Sequence, residues 1–229
     1  MLTIFGILML TVIIIFGPQI WVRYILKRYN KQIEQLPGTG GELALHLVDT
    51  LGLSGITVEV SDAENNHYDP ENKVVSLSPD VYNGKSFTAI AISAHEIGHA
   101  IQHLLKYKPL ILRWYFSRYV ARAEKIASII LLAFPFIVLV TRIPAAGILM
   151  LVLGLTFLAL PVLFHLITLP VELDASFKRA LPLLIQGKYI PESAIPIVNK
   201  ILFAAALTYL SASLVSILNF YRWVAILKR

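Results

Sequence analysis

The chain has 229 residues, of which 57% are hydrophobic and only 15% are charged, and its formal net charge is +6. Soluble domains carry about 25% charged residues, and disordered chains combine low hydrophobicity with high charge. The composition therefore excludes a disordered chain and argues against a purely soluble one. Cysteine is absent, which excludes disulfide frameworks, iron–sulfur clusters, thiolate zinc sites and a cysteine nucleophile.

The first element is an apolar run over residues 1–22, long enough to cross a hydrocarbon core of about 30 Å as a helix. Basic residues follow this run, beginning with Arg23, whereas a signal peptide would carry them before it. We therefore predict an uncleaved transmembrane helix.

A polar segment then extends over residues 23–125. Its hydrophobic periodicity predicts a short helix at Glu42–Leu51, strands at 56–60 and 73–77, and a long helix at about 86–105. This order indicates a small α+β domain inserted between the first two membrane spans. The strand at 73–77 could offer its edge to an extended peptide, or it could simply pack on the long helix.

Three further apolar runs predict transmembrane helices at 126–142, 143–169 and 201–221. Pro144 follows Arg142 almost directly, so we expect a tight hairpin between the second and third spans. A helical segment at 170–200 separates the third span from the fourth. The predicted fold is thus a mainly α integral membrane protein of about four spans with one small α+β domain.

The basic residues orient this layout. Twelve Lys and Arg residues fall within 23–125 and four within 170–200, whereas only four lie elsewhere. The positive-inside rule then places both polar segments in the cytoplasm. The positive net charge is explained by these membrane flanks, so we expect the lipid bilayer and not nucleic acid as a partner.

The sequence His95-Glu96-Ile97-Gly98-His99 has the H-E-x-x-H pattern inside the predicted long helix. Residues four apart lie about 6 Å apart on one helix face, which suits two imidazoles on one zinc ion. Glu96 lies about 100° around the helix from His95, where it can reach a water without binding the metal. These residues could instead be ordinary polar groups on an amphipathic helix, but the preceding run 87–94 is apolar, and burying unpaired polar groups there is costly.

A catalytic zinc site needs a third protein ligand. The extended motif with a third histidine is excluded, because Gln102 and Leu105 occupy the positions of its glycine and histidine. Glu172 is the favoured candidate, since the charge pattern places it on the same side of the membrane as His95. The alternatives are His46, His67, His103 and His165.

Several motifs together resemble the membrane neutral zinc metallopeptidases of the YugP type. They are His67–Pro70, Leu77–Tyr82, Ala94–Gln102, Glu172–Ser176 and Ala204–Tyr209. The resemblance covers nearly the whole chain. It implies a multi-pass protease of the bacterial inner membrane whose small domain is zincin-like. It also implies the gluzincin-like type of site, in which a distal glutamate joins the two histidines. It also implies one zinc ion held by His95, His99 and Glu172.

The chain departs from that wider type just after Glu172. Many relatives carry an aspartate four residues after the ligand glutamate, where this chain has Ser176. Asp174 is only two residues on and would point away on a helix. We therefore expect Ser176 to orient an imidazole more weakly, or through a water.

The predicted activity is hydrolysis of peptide bonds in a peptide or protein substrate by a zinc-activated water, with Glu96 as general base. Tyr68, His67 and Arg179 are candidates for stabilising the oxyanion. Two alternatives remain open: a zinc protease that cleaves within the bilayer, and a non-catalytic membrane scaffold with a structural zinc site.

Overall fold

The computed structural model describes residues 16–62 and 65–207. They are mainly helical, as the sequence predicted, and they contain one three-stranded sheet. The chain divides into two compact units, Met1–Ile111 with Leu169–Thr208, and Leu112–Thr168 with Tyr209–Arg229. Most of the predicted first and fourth spans lies outside the described residues.

The elements follow one another in chain order as α1 (16–28), α2 (Gly40–Thr50), β1 (Thr57–Val60), β2 (His67–Asp69), β3 (Val74–Leu77), α3 (Pro79–Tyr82), α4 (Phe87–Leu104), α5 (Lys108–Thr141), α6 (Pro144–Leu173), a π-helical segment (Asp174–Ala180), α7 (Leu181–Gln186), a 3₁₀ turn (Glu192–Ala194) and α8 (195–207).

Helix α2 begins two residues earlier than predicted because a capping box forms at Thr39. The Thr39 hydroxyl accepts from the backbone N–H of Glu42, whose carboxylate accepts from the backbone N–H of Thr39. Gly40 lies in the first turn, where a Cβ would collide with the carbonyl oxygen of Val81. Glycine usually destabilises a helix, but at this position its missing side chain allows α2 to pack closely against Val81. The helix ends at Thr50 with Leu51 as its C-cap, and Gly52 follows with a φ of +59°.

The sheet has the strand order β1-β3-β2, with β1 parallel and β2 antiparallel to β3. Strand β2 was not predicted, because it has only three residues and only Tyr68 among them is buried. The prediction that the strand at 73–77 offers its edge is wrong: β3 lies in the centre of the sheet and is hydrogen-bonded on both sides.

Helix α4 lies at the centre of the first unit. It begins where predicted, because the Ser86 hydroxyl accepts from the backbone N–H of Ala89 and caps the helix. Small residues on α4 allow α2, the sheet and the π-helical segment to pack closely around it. The core includes Leu47 from α2, Val75 and Leu77 from β3, and Ile90 and Ile97 from α4.

Helices α5 and α6 supply most of the described part of the second unit. They meet at a tight turn in which Arg142 has a φ of +54°, close to where the hairpin was expected. Helix α5 begins at Lys108 rather than at 126. Pro109 lies in its first turn, where proline is tolerated, and residues 110–125 contain neither glycine nor proline. Both helices are long and apolar enough to cross a membrane, and they expose large apolar side chains such as Leu132 and Leu149.

Candidate metal centre

The two histidines of the H-E-x-x-H motif lie side by side on α4. Their ring centroids are 4.7 Å apart, and each residue is only 5–6% exposed. Glu96 is also buried, although it carries a carboxylate. Three buried ionisable residues within five positions are costly unless they are paired or bound to a metal.

Glu172 reaches the same place from the last turn of α6, and it is fully buried. Its Oε2 atom lies 3.1 Å from Nε2 of His95 and 3.4 Å from Nε2 of His99. The three ligand atoms all lie within 4.8 Å of one another. The structure thus brings together the three residues that the sequence proposed as metal ligands, although Glu172 lies 77 positions after His95.

A hydrogen bond behind His95 determines which of its nitrogens is protonated. The Ser176 hydroxyl donates its one proton to the backbone carbonyl of Leu202, at 3.2 Å. It can therefore only accept from Nδ1 of His95, which lies 3.0 Å away. In the neutral imidazole, Nε2 then carries a lone pair directed at Glu172.

The imidazole of His99 is held in the same way. Its Nδ1 atom donates to Oε1 of Gln102 at 2.9 Å, because an amide oxygen can only accept. Nε2 of His99 therefore also faces the Glu172 carboxylate as an acceptor. Acceptors that face one another in a buried site need a positive charge between them. A zinc ion fits this donor set, since it binds two imidazole nitrogens and one carboxylate oxygen in many catalytic sites.

Gly98 explains how α4 and the π-helical segment can approach each other closely enough to form this site. A Cβ at Gly98 would lie 2.7 Å from the carbonyl oxygen of Ala175. Since Ala175 belongs to the rigid backbone between Glu172 and Ser176, it cannot move aside easily. Glycine therefore keeps both residues within reach of the imidazoles.

Asp174 and Arg179 contact each other rather than the imidazoles. Nε of Arg179 donates to Oδ2 of Asp174 at 2.8 Å, and the Asp174 carboxylate also accepts from Nε2 of Gln102 at 2.8 Å. The sequence analysis did not identify Gln102 as a partner of Asp174. The available signal was a polar side chain three residues after His99 in an apolar helix.

The Tyr68 hydroxyl, proposed for the oxyanion, shares a hydrogen bond with Nδ1 of His103 at 2.7 Å. Burial, with a smaller contribution from the charge of Asp69, raises the pKa of Tyr68 to about 12. Burial and then the charge of Lys73 lower the pKa of His103. Both side chains are therefore neutral near pH 7, and the proton in their hydrogen bond can come from the phenol or from Nδ1 of His103. When His103 is the donor, the proton of Tyr68 is available to another acceptor.

The remaining histidines lie apart from the metal-ligand group. His46 contacts the Tyr189 hydroxyl at 2.9 Å, and His67 lies on the outer strand β2. Among the residues that the structure describes, neither these, nor His103, nor His165 joins the group formed by His95, His99 and Glu172.

The comparisons with known proteins agree with this donor set. The model of the family described as "Putative neutral zinc metallopeptidase" matches residues 4–228. The chain is 37% identical over 215 residues to the "Putative membrane protease YugP" of Bacillus subtilis (strain 168), with 92% of each chain covered. No solved structure matches the chain. The family match covers nearly the whole chain, and the protein therefore belongs to the neutral zinc metallopeptidase family.

Proposed function

We propose that this protein is a membrane-embedded zinc endopeptidase that hydrolyses peptide bonds at the site formed by His95, His99 and Glu172. The observation that carries the proposal is the convergence of two imidazole lone pairs and one carboxylate in a buried pocket. Among the described residues, no fourth His, Asp or Glu side chain joins the three ligands. Three protein ligands with one open position are typical of a catalytic zinc site, whereas structural sites are closed by four.

One zinc ion held by these residues would polarise the scissile carbonyl and lower the pKa of water at the site. The chain itself supplies the remaining groups. Glu96 follows His95 directly on α4, where its carboxylate can take a proton from the attacking water and pass it to the leaving amine. Ser176 and Gln102 hold the imidazoles in the orientation that leaves Nε2 available for the metal.

Tyr68 is the favoured group for stabilising the oxyanion. Because the pKa of Tyr68 is about 12, the hydroxyl remains a proton donor throughout the physiological range. Its partner His103 lies one helical turn beyond His99 on α4. Arg179 is already paired with Asp174, and His67 is exposed on β2.

We further propose that the protein is a multi-pass component of the bacterial inner membrane with its site in the cytoplasm. The length and apolar surface of α5 and α6, and the name of the Bacillus subtilis relative, support the membrane location. The concentration of Lys and Arg in residues 23–125 and 170–200 supports the orientation. Spans at 1–22, 126–142, 143–169 and 201–221 would complete this topology, and peptide or protein substrates would reach the site from the cytoplasm.

The test separates metal binding from catalysis in the full-length protein purified in detergent. Glu96→Gln should retain zinc, measured by elemental analysis, but lose cleavage of a fluorogenic peptide library by about 10²–10⁴-fold. Glu172→Ala should lose the zinc itself. Glu34→Gln, at an exposed position, is the matched control and should change neither quantity.

Normal cleavage by Glu96→Gln would disprove its role as general base. Zinc content that is unchanged in Glu172→Ala would disprove the ligand assignment. A wild-type protein that binds zinc but cleaves no peptide in the library, and whose expression changes no membrane or soluble protein in cells relative to Glu96→Gln, would favour a structural zinc site instead.

A further inference from the structure

A chain of polar side chains lies behind His99 and links it to a buried ion pair. Oε1 of Gln102 accepts from Nδ1 of His99 at 2.9 Å. Nε2 of Gln102 donates to the backbone carbonyl of Val171 at 2.9 Å and to Oδ2 of Asp174 at 2.8 Å. Both of these partners can only accept, so the orientation of the Gln102 amide is fixed.

The π-helical segment positions the positively charged Arg179 next to Asp174. Nε of Arg179 donates to Asp174, which lies five residues earlier. In an α-helix, side chains five residues apart would point about 140° away from each other. A π-helix has i→i+5 hydrogen bonds and brings them into line, and such segments are frequent at functional sites. The change in helix type directly after Glu172 therefore creates the Asp174–Arg179 pair.

Burial strengthens the hydrogen bonds that connect His99, Gln102 and Asp174. Gln102 is fully buried and Asp174 is 6% exposed. Hydrogen bonds in such surroundings polarise one another, so the carboxylate makes the amide oxygen a stronger acceptor for the His99 proton. That in turn makes Nε2 of His99 a stronger electron donor toward a metal. His95 differs, because its support is the neutral Ser176 hydroxyl and a backbone carbonyl.

We propose that Gln102 is a positioning residue that transmits the charge of Asp174 to His99 and so sets the metal affinity of the site. This inference rests on the proposed function, because it requires that His99 bind the metal. Gln102 performs here the task for which metal sites often use a carboxylate in direct contact with the imidazole. Gln102, Asp174 and Arg179 together form the Gln102–Asp174–Arg179 relay.

The test exchanges the donor and the acceptor at the contact between Gln102 and Asp174. Gln102→Glu alone would bring two buried carboxylates together, while Asp174→Asn alone would remove the charge. In the double variant Gln102→Glu/Asp174→Asn, the amide at 174 can donate to the carboxylate at 102, which still accepts from His99. The Val171 carbonyl loses its donor in Gln102→Glu and in the double variant alike, so this loss cancels between them.

The measurements are the zinc dissociation constant of the full-length protein, from competition with a chelator, and the visible absorption spectrum after Co²⁺ loading. We expect Gln102→Met, which has similar size but no acceptor, to weaken zinc binding by about 10–100-fold. Gln102→Glu should weaken zinc binding at least as much, and the double variant should return to within a few-fold of the wild type. The exposed Gln35→Met is the matched control and should leave both readouts unchanged.

A purely structural role would not produce rescue by the double variant, since both single changes conserve side-chain size. The proposal is overturned if Gln102→Met binds zinc as tightly as the wild type, or if the double variant binds no better than Gln102→Glu. It would also be overturned, together with the proposed function, by a wild type that takes up no zinc. Tight zinc binding that is insensitive to Gln102 would reject the relay alone.

Discussion

Helix α4 and the long helices α5 and α6 differ in which side chains they bury. Helix α4 buries His95, Glu96 and Gln102. Two of them have hydrogen-bond partners far along the chain, Ser176 for His95 and Asp174 for Gln102. Helices α5 and α6 instead expose Leu and Phe side chains, among them Leu139 at 75% and Phe136 at 65%. In water that apolar exposure would be unfavourable, whereas in lipid it is expected. The difference supports the proposed membrane location of α5 and α6.

The largest difference is expected between two variants that each replace one exposed leucine by arginine, one in each unit. Leu132→Arg puts a charge on the exposed apolar surface of α5 and should cost about 2.5–3.5 kcal/mol if that surface lies at the centre of a bilayer. Leu45→Arg changes an exposed leucine on α2 and should be tolerated. The measurement is the amount of full-length protein in the membrane fraction and its melting temperature in detergent. Equal accumulation of the two variants would contradict a lipid-facing α5.

A smaller contrast is expected from adding one methyl group to a glycine in each unit. At Gly98 the new Cβ meets the backbone oxygen of Ala175 at 2.7 Å, so Gly98→Ala should destabilise the protein by about 1–3 kcal/mol and reduce its zinc content. At Gly147 it meets a methyl group of Val138, a partly exposed side chain that can rotate. Gly147→Ala should therefore change stability by less than about 1 kcal/mol, since alanine also favours the helix.

Thermal unfolding and elemental analysis of both variants measure this contrast. A Gly98→Ala protein with normal zinc content would show that the close approach of α4 to Ala175 is not required for the site.

The smallest effect concerns pH. Because the pKa of His103 is lowered on folding, the unfolded chain binds its proton more readily than the folded protein does. His103 therefore contributes stability above its unfolded pKa of about 6.5, and this contribution is lost as the pH falls through the lower folded value. Protonation would also make Nδ1 of His103 a donor only, so that Tyr68 could no longer donate in this hydrogen bond.

His103→Gln retains an acceptor for Tyr68 but does not titrate. The melting temperature of the wild type should consequently fall more steeply than that of the variant between pH 7.5 and pH 5. Parallel curves would show that His103 does not contribute to the acid sensitivity. The comparison between the two proteins removes the effect of the other histidines.

The sequence predicted those features that depend on neighbouring residues. The start of the long helix near residue 86, the turn at Arg142 and the spacing of His95 and His99 are local, and the structure shows each of them near the expected position. Glu172 was predicted from a different property, the side of the membrane to which the charge pattern assigns it. The family was identified from several short motifs, and the comparisons confirm it.

Other features could not be predicted because they depend on contacts between distant residues. Strand β2 is too short to give a periodic signal, and it is stabilised by pairing with β3. The start of α5 at Lys108 was missed because its first turns lack the long apolar run that marks a membrane span.

The sequence by itself determined that two imidazoles lie on one helix face, because the geometry of an α-helix fixes the relation between residues four apart. The tertiary structure alone decided that Gln102 meets Asp174, which lies 72 positions later, and that a π-helical segment aligns Asp174 with Arg179. The physical reason is that a buried polar group must find hydrogen-bond partners wherever packing brings them. Which partners it finds depends on how closely the helices approach, and at this site Gly98 permits that approach.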